Sequence, residues 1–412
     1  MSRFIFEAAR VFDGRNGPAD ELYDVVVADG MIQEVEVAGK IASSQATRIA
    51  CEGRTLMPGL IDAHVHVYVA SLRPDVLANK PPTYFAHYAA GFFKGSLDRG
   101  FTTLRDVGGA EIGVAAALRD GLVSGPRLFY GGRVISQTGG HGDGRSADLD
   151  AYSYCGCGGG KTHFMGIVAD GADAVRAAVR EELRRGAHHI KIVASGGIIS
   201  PNDAIDGVQY SENEISVAVE EAERAGVYVA AHCHPARAVR RCVELGVRSI
   251  EHGTMIDEET AKFVASKGAF VVPTMATIFA LLEEGARMGL APSSMDKLKE
   301  VSDHALRGLE IMHQAGVKMG LGTDLLAEQH VRQSTEFELR ARVLDPLEIL
   351  RSACSVNAEL LGQSGKLGCV QPGAHADLLV IDGDPIGDIS LLAKPDRMPV
   401  IMKEGAFHKL AL

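Results

Sequence analysis

Residues 57–66 read Met-Pro-Gly-Leu-Ile-Asp-Ala-His-Val-His: a turn-forming Pro-Gly pair, a short apolar run, then two imidazoles at its end. His64 and His66 stand two apart, and on a strand that spacing projects both side chains to one side. The same design recurs further along. Lys191 lies in HHIKIVASGG (188–197), His232 and His234 in VYVAAHCH (227–234), His252 in RSIEHGT (248–254) and Asp324 in VKMGLGTD (317–324). Each stands at or just past the end of an apolar run that reads as a strand. Imidazoles and a carboxylate gathered at one rim of a parallel barrel can hold divalent metal, and such metal can activate water.

Working outward, candidate strands fall at 59–64, 101–106, 127–133, 188–193, 227–232, 248–252, 269–273 and 317–323. Helical patterns separate most of them, at 174–186, 235–246, 257–268 and 295–316. The clearest is SENEISVAVEEAERAG (211–226). There Ser211 and Glu214 form a capping box, Ile215, Val219 and Ala222 make the apolar stripe, and Gly226 supplies the stop. Eight strand–helix units predict an α/β fold, a (β/α)8 TIM barrel over residues 57–364. An open doubly wound sheet is the alternative, but no G-x-G-x-x-G turn follows the first strand. Residues 1–56 and 365–412 instead alternate short β-type runs with turns, Asp29-Gly30 being a strong hairpin signal. These two ends are expected to pair into one small β-sandwich domain. The connection 134–173 is too long for a routine barrel loop and is expected to cover the site, with 277–294 as a second insertion of that kind.

The bulk numbers narrow the class. A chain of 412 residues with 46% hydrophobic content, 47 glycines and no tryptophan has ample core for one large domain and a small one. A net charge of −11 without a cluster of Lys and Arg argues against a nucleic-acid partner. Seven dispersed cysteines fit a reduced, cytoplasmic setting. Cys155 and Cys157 form a lone CxC with no second pair, which reads as free thiols in a glycine-rich loop. The start MSRFIFEAARVFDG lacks the basic-then-apolar pattern of a signal peptide, and no apolar run approaches the ~18 residues of a membrane span. No membrane association is expected.

Taken together, MPGLIDAHVH with Lys191, His232, His252 and Asp324 at their spacings resembles the amidohydrolase superfamily over essentially the whole chain. Within it, LRDVGG (104–109), GPRLFYGGRVISQTGGHGD (125–143), IKIVASGGIISP (190–201), IEHGTMIDEETA (250–261), GTDLL (322–326) and PGAHADLLVIDGDP (372–385) are similar to the metal-dependent Xaa-Pro dipeptidase branch. Imidazolonepropionases and ochratoxin-type amidases are similar relatives. The resemblance implies two divalent metal ions, with zinc as the expected metal. His64, His66 and Asp324 would hold the more buried ion and His232 and His252 the second. Lys191 would bridge them as its CO2-derived carbamate. An ordinary lysine ammonium, with a pKa of ~10.4, would instead repel two dications. It also implies amide hydrolysis on a dipeptide or N-acyl amino acid with release of the C-terminal amino acid. Asp324 would shuttle the proton, and His141, between glycines in GGHGD, would polarise the scissile carbonyl or grip the terminal carboxylate. His234 departs from the branch, where tyrosine is common, and is expected to touch substrate. Arg105, Asp106 and Gln137 are candidate partners of the ligands, whereas His163, His188, His189, His304, His313, His330, His375 and His408 read as structural or surface residues. Barrels of this kind are usually homo-oligomers.

Blander readings stand beside these. HxH can be a polar turn, Lys191 a lysine stretching from a strand end, Asp324 a helix N-cap and His141 a solvated loop residue. Nucleophilic Ser or Cys catalysis lacks a G-x-S-x-G elbow. A one-metal deaminase would not need Lys191, and a non-catalytic scaffold would have lost ligands that this chain retains. The remaining alternatives are an amidase on an ochratoxin-like conjugate and a cyclic-amide hydrolase of imidazolonepropionase type.

Overall fold

A computed structural model describes residues 3–17, 21–41, 45–73, 76–77, 79–145, 165–200 and 203–412. Strands β1 (Arg3–Val11), β2 (Tyr23–Ala28), β3 (Met31–Val37), β4 (Thr47–Ala50) and β5 (Thr55–Pro58) precede the barrel. Strands β16 (Leu378–Ile381), β17 (Val400–Lys403) and β18 (Ala406–Leu410) follow it. All eight join one mixed sheet of order β18-β17-β16-β5-β1-β2-β3, with β4 beside β1. Asp29 (φ 53°) and Gly30 (φ 76°) both adopt the left-handed conformation that a tight two-residue hairpin demands between Ala28 and Met31. The pairing of β1 shifts around Ala8 (φ 51°): residues before it pair with β2 and β4, Ala9 keeps to β2, and Arg10 and Val11 pair with β5. The two halves close over one apolar core that includes Phe6, Val25, Ile32, Leu56, Leu378 and Val400. This is the small β-sandwich layer built from both ends of the chain.

Between these ends lies the parallel barrel. Strands β6 (Leu60–Val65), β7 (Phe101–Asp106) and β8 (Arg127–Tyr130) form one ladder. A second ladder holds β9 (Val134–Ser136), β10 (Gly166–Val168), β11 (His189–Val193), β12 (Tyr228–Pro235), β13 (Ser249–Met255), β14 (Phe270–Val272) and β15 (Lys318–Met319). Backbone hydrogen bonds bridge the seams. His188 N donates to Tyr130 O at 2.9 Å on one side, and Ala63 N to Leu321 O at 2.8 Å on the other. The strand expected at 317–323 is thus a two-residue ladder followed by an irregular segment. The strand expected at 127–133 stops at Tyr130, and the short β9 wedges in beside β11. Both differences serve the mouth of the barrel, where regular pairing gives way to loops that carry side chains inward.

The helix at Glu212–Arg224 carries both halves of the capping box, Ser211 Oγ accepting from Glu214 N and Glu214 returning to Ser211 N. The stretch 277–294 is less an insertion than a helix, Met275–Glu284, and the lead-in to a longer one, Pro292–Gln314. The two pack on each other through Met275, Ile278, Leu281, Leu298 and Val301. Part of the connection 134–173, including Cys155 and Cys157, lies outside the described residues. Among the described residues no helix is long and apolar enough to cross a membrane.

Candidate active site

One cavity of about 260 Å³ opens at the C-terminal ends of the barrel strands. It is lined by all eight side chains singled out above: His64, His66, His141, Lys191, His232, His234, His252 and Asp324. Ligand atoms of His64, His66 and Asp324 lie within 4.8 Å of one another. The Nε2 atoms of both histidines stand 3.5 Å from Asp324 Oδ1. The imidazoles continue from there, His64 to His252 at 4.9 Å between ring centroids and His252 to His232 at 4.6 Å.

The local backbone explains why these groups converge. Asp324 (φ 50°) and His252 (φ 73°) both adopt left-handed conformations that cost a non-glycine residue on the order of 1–3 kcal/mol. At His252 the twist breaks the alternation of β13, so that Glu251 points into the barrel while His252 also faces the cavity. Asp324 is pinned through its own N–H, which donates to His64 O at 2.8 Å. Beneath, the buried carboxylate of Asp62 accepts from Thr323 Oγ1 at 2.7 Å and from Gln333 Nε2 at 2.9 Å. It therefore ties β6 to the segment bearing Asp324.

The donor set fits divalent metal on one specific count. Each of four imidazoles commits one ring nitrogen to the protein and leaves the other free. His64 Nδ1 pairs with Glu251 at 2.7 Å, His66 Nδ1 with Gly108 O at 2.8 Å and His252 Nδ1 with Thr274 Oγ1 at 2.9 Å. His232 uses Nε2 instead, toward Gly196 O at 3.1 Å. Outer partners of this kind fix tautomer and ring orientation in metal sites. Glu251, fully buried, is itself held by Arg105 Nη2 at 2.8 and 2.9 Å and by Ser249 Oγ at 2.6 Å. Lys191 is buried in β11, and its amine makes no hydrogen bond among the described residues.

Burial dominates the electrostatics. It drives His64, His232 and His252 well below the ordinary imidazole range, His66 to about 4 and His234 to about 3. Lys191 falls to about 8, again through burial, although Glu251 and Asp324 pull it upward. Burial raises the Asp324 carboxyl to about 8. Neutral imidazoles are the form that binds metal.

Among the weaker sequence candidates, Arg105 reaches His64 through Glu251. Asp106 accepts from Val67, Gly108 and Ala110 N–H groups and so shapes the turn under His66. Gln137 accepts from Tyr210 N. Of the histidines read as structural, His189 is fully buried and stacks on Tyr228. Sequence reading missed Glu251, Asp62 and the helix Met275–Glu284, whose Thr277, Ile278 and Leu281 form one apolar wall of the cavity. A carboxylate directly before the candidate histidine His252 in β13 was the available signal for Glu251.

This architecture has known counterparts. Residues 55–406 match the model of the amidohydrolase family. The chain belongs to that family. As an amidohydrolase it is a hydrolase acting on amide bonds, in a family that is generally metal-dependent. It is 32% identical over 404 residues to the ochratoxinase of Aspergillus niger, covering 93% of this chain and 82% of that protein. It superposes on a crystallised amidohydrolase with a TM-score of 0.95 at 45% identity, covering 100% of both chains. It also superposes on a prolidase solved with N-methylphosphonate-L-proline, with a TM-score of 0.94 at 43% identity, over 99% of this amidohydrolase and 100% of the prolidase.

Proposed function

We propose that this amidohydrolase cleaves the amide bond of dipeptides or N-acyl amino acids and releases the C-terminal amino acid. The observation that carries the reading is the convergence of His64, His66 and Asp324 on one point, with His232, His252 and Lys191 continuing along the same cavity. His64, His66 and Asp324 would hold one ion, His232 and His252 a second, and Lys191 would bridge them as its carbamate. Zinc suits the imidazole-rich set. Such ions, when bound, supply Lewis acidity at a carbonyl and a water acidic enough to attack near neutral pH.

The chain's own residues do the rest. Asp324 Oδ takes the proton of the attacking water and returns it to the leaving nitrogen. His141 and His234 reach the substrate from the side of β9 and β12. Val69, Leu72, Ile198, Ile278, Leu281 and Leu326 give the cavity apolar walls that exclude bulk water and favour apolar arms on the substrate. Those walls, together with the likeness to an ochratoxinase, support a second reading, an amidase on an ochratoxin-like amino-acid conjugate.

The test is a screen of dipeptides, N-acyl amino acids, lactones and cyclic amides with zinc-reconstituted protein grown with bicarbonate. Turnover of dipeptides or N-acyl amino acids is expected. Inactivity on all of these alongside hydrolysis of a lactone or cyclic amide would defeat the proposal. A small molecule is the expected partner, and a homo-oligomer in solution is part of the same proposal.

A further inference from the structure

His141 is anchored by a chain of buried groups that none of the metal ligands shares. Its Nδ1 lies 2.7 Å from Ser200 Oγ, and Ser200 Oγ in turn donates to Asp203 Oδ1. Asp203 is surrounded by donors. Lys297 Nζ reaches Oδ1 at 2.8 Å, while Gln209 Nε2 and Gly197 N approach Oδ2 at 3.0 and 3.3 Å. Lys297 comes from the helix Pro292–Gln314 and also donates to Gly197 O and Ser200 O at 3.0 and 2.7 Å. Gln209 Oε1 accepts the backbone N–H of His141 at 3.1 Å. The imidazole lies flat over Gly197, where an added Cβ would fall 2.3 Å from Cε1, and stacks on His232 at 4.5 Å and 27°.

Proton counting then fixes the ring. A carboxylate paired with a lysine only accepts, so the single hydroxyl proton of Ser200 goes to Asp203. Ser200 Oγ is left as an acceptor, and the proton between it and His141 must sit on Nδ1. Because Nδ1 is engaged with Ser200, Nε2 is the ring nitrogen left to the cavity that His141 lines. A neutral ring of this tautomer meets substrate with a lone pair.

We propose that Ser200 and Asp203 are positioning residues that hold His141 in the Nδ1–H tautomer, so that His141 Nε2 accepts a hydrogen bond from an N–H or O–H donor of the substrate. The expectation from the sequence was that His141 donates to a carbonyl or carboxylate oxygen. In this geometry that role would require a doubly protonated ring. The role toward substrate rests on the amidase reading above, whereas the tautomer does not.

The experiment is long-range 15N–1H correlation NMR on histidine-labelled protein, metal-free and zinc-loaded, with His141 assigned by the signals lost in His141→Gln. Wild type should show a protonated Nδ1 and a bare Nε2 at this ring. Ser200→Ala and Asp203→Ala should shift it toward the Nε2–H form, and Ser200→Thr, which keeps the hydroxyl, should not. An Nε2–H ring in wild type overturns the proposal without any variant needing to fold, as does an Nδ1–H ring that persists in both alanine variants. On whichever amide the screen returns, Ser200→Ala should lower kcat about 10–100-fold with KM within about threefold, the usual scale for loss of an outer hydrogen-bond partner that orients an active-site group. An unchanged kcat in a variant that has lost the Nδ1–H form overturns the role toward substrate. Failure of the screen itself counts against the amidase reading and leaves the tautomer result standing.

Discussion

Asp324 combines a left-handed backbone, a proton affinity raised by burial and contact with two imidazoles. Its strain and its chemistry fall on the same residue. Asp324→Asn keeps the shape and removes the basic oxygen, so turnover should fall by about 10²–10⁴-fold while the thermal midpoint moves little. Steady-state kinetics and calorimetry on one preparation check this, and near-normal activity would remove Asp324 from the mechanism. Lys191→Ala should lose bound zinc, and plasma emission finding two ions per subunit would contradict the bridging role. Glu251→Gln tests the partner beneath. Leaving Arg105 buried without its carboxylate should cost about 3–5 kcal/mol. Loosening His64 should weaken metal affinity about 10–100-fold. Urea denaturation and competitive zinc titration read the two effects separately.

The proposed ligands were legible at this scale because each stands where an apolar run ends, which is where a parallel barrel opens. Glu251 was not, because strict alternation would turn it away from the face that His252 occupies. Only the positive φ at His252 lets neighbouring residues serve the same interior. The His141–Ser200–Asp203 chain was equally hidden, since its members come from two loops and gain meaning only through hydrogen bonds.

At the scale of elements, the seam between β6 and the segment after β15 depends on a missing side chain. A Cβ on Gly322 would fall 2.5 Å from Val272 Cγ1 and 2.6 Å from His64 Cβ. Gly322→Ala should therefore push the two segments apart, destabilise by about 1–3 kcal/mol as overpacking does, and lower zinc occupancy in parallel. A variant with full occupancy and an unchanged melting midpoint would show that the seam tolerates expansion. The same crowding explains why the last predicted strand was overlong. The Gly-Leu-Gly-Thr sequence (320–323) has the apolar character of a strand, but its close approach to β6 and β14 uses irregular backbone. The helix Met275–Glu284 escaped because its apolar residues face both the cavity and the next helix, which blurs any single stripe.

Across the whole molecule, the burial of so many neutral imidazoles gives a pH dependence with a definite sign. His66 and His141 are lowered to about 4 and His234 to about 3, with His64, His232 and His252 also well down. Unfolded histidines take protons near 6.5, so below that pH the unfolded chain binds more protons than the folded one. Stability of the metal-free protein should fall as pH drops from about 6.5 toward 4, by about 1.4 kcal/mol per pH unit for each such group. Asp324, raised to about 8, and Asp106, raised to about 6, work in the opposite direction, as do the raised carboxyls of Asp62 and Glu336, but the lowered imidazoles outnumber them. Urea midpoints from pH 7 to 5 on chelated protein measure the slope. A flat profile would mean these rings are solvated. Zinc, binding only the folded form, should raise the midpoint at pH 7 and lose that effect in acid as protons compete for the ligands.

The sandwich has its own implication for how the polypeptide is made. Met57 in β5 stands opposite Leu379 in the antiparallel pairing with β16, and β17 and β18 complete the layer only afterwards. Translation at roughly 5–20 residues per second leaves β5 waiting on the order of tens of seconds for its neighbour. During that interval the barrel can wind up behind the ribosome while the first five strands hold an open flank. Nascent chains stalled before residue 378 should therefore expose that flank to chaperones, and synthesis of residues 378–412 should hide it.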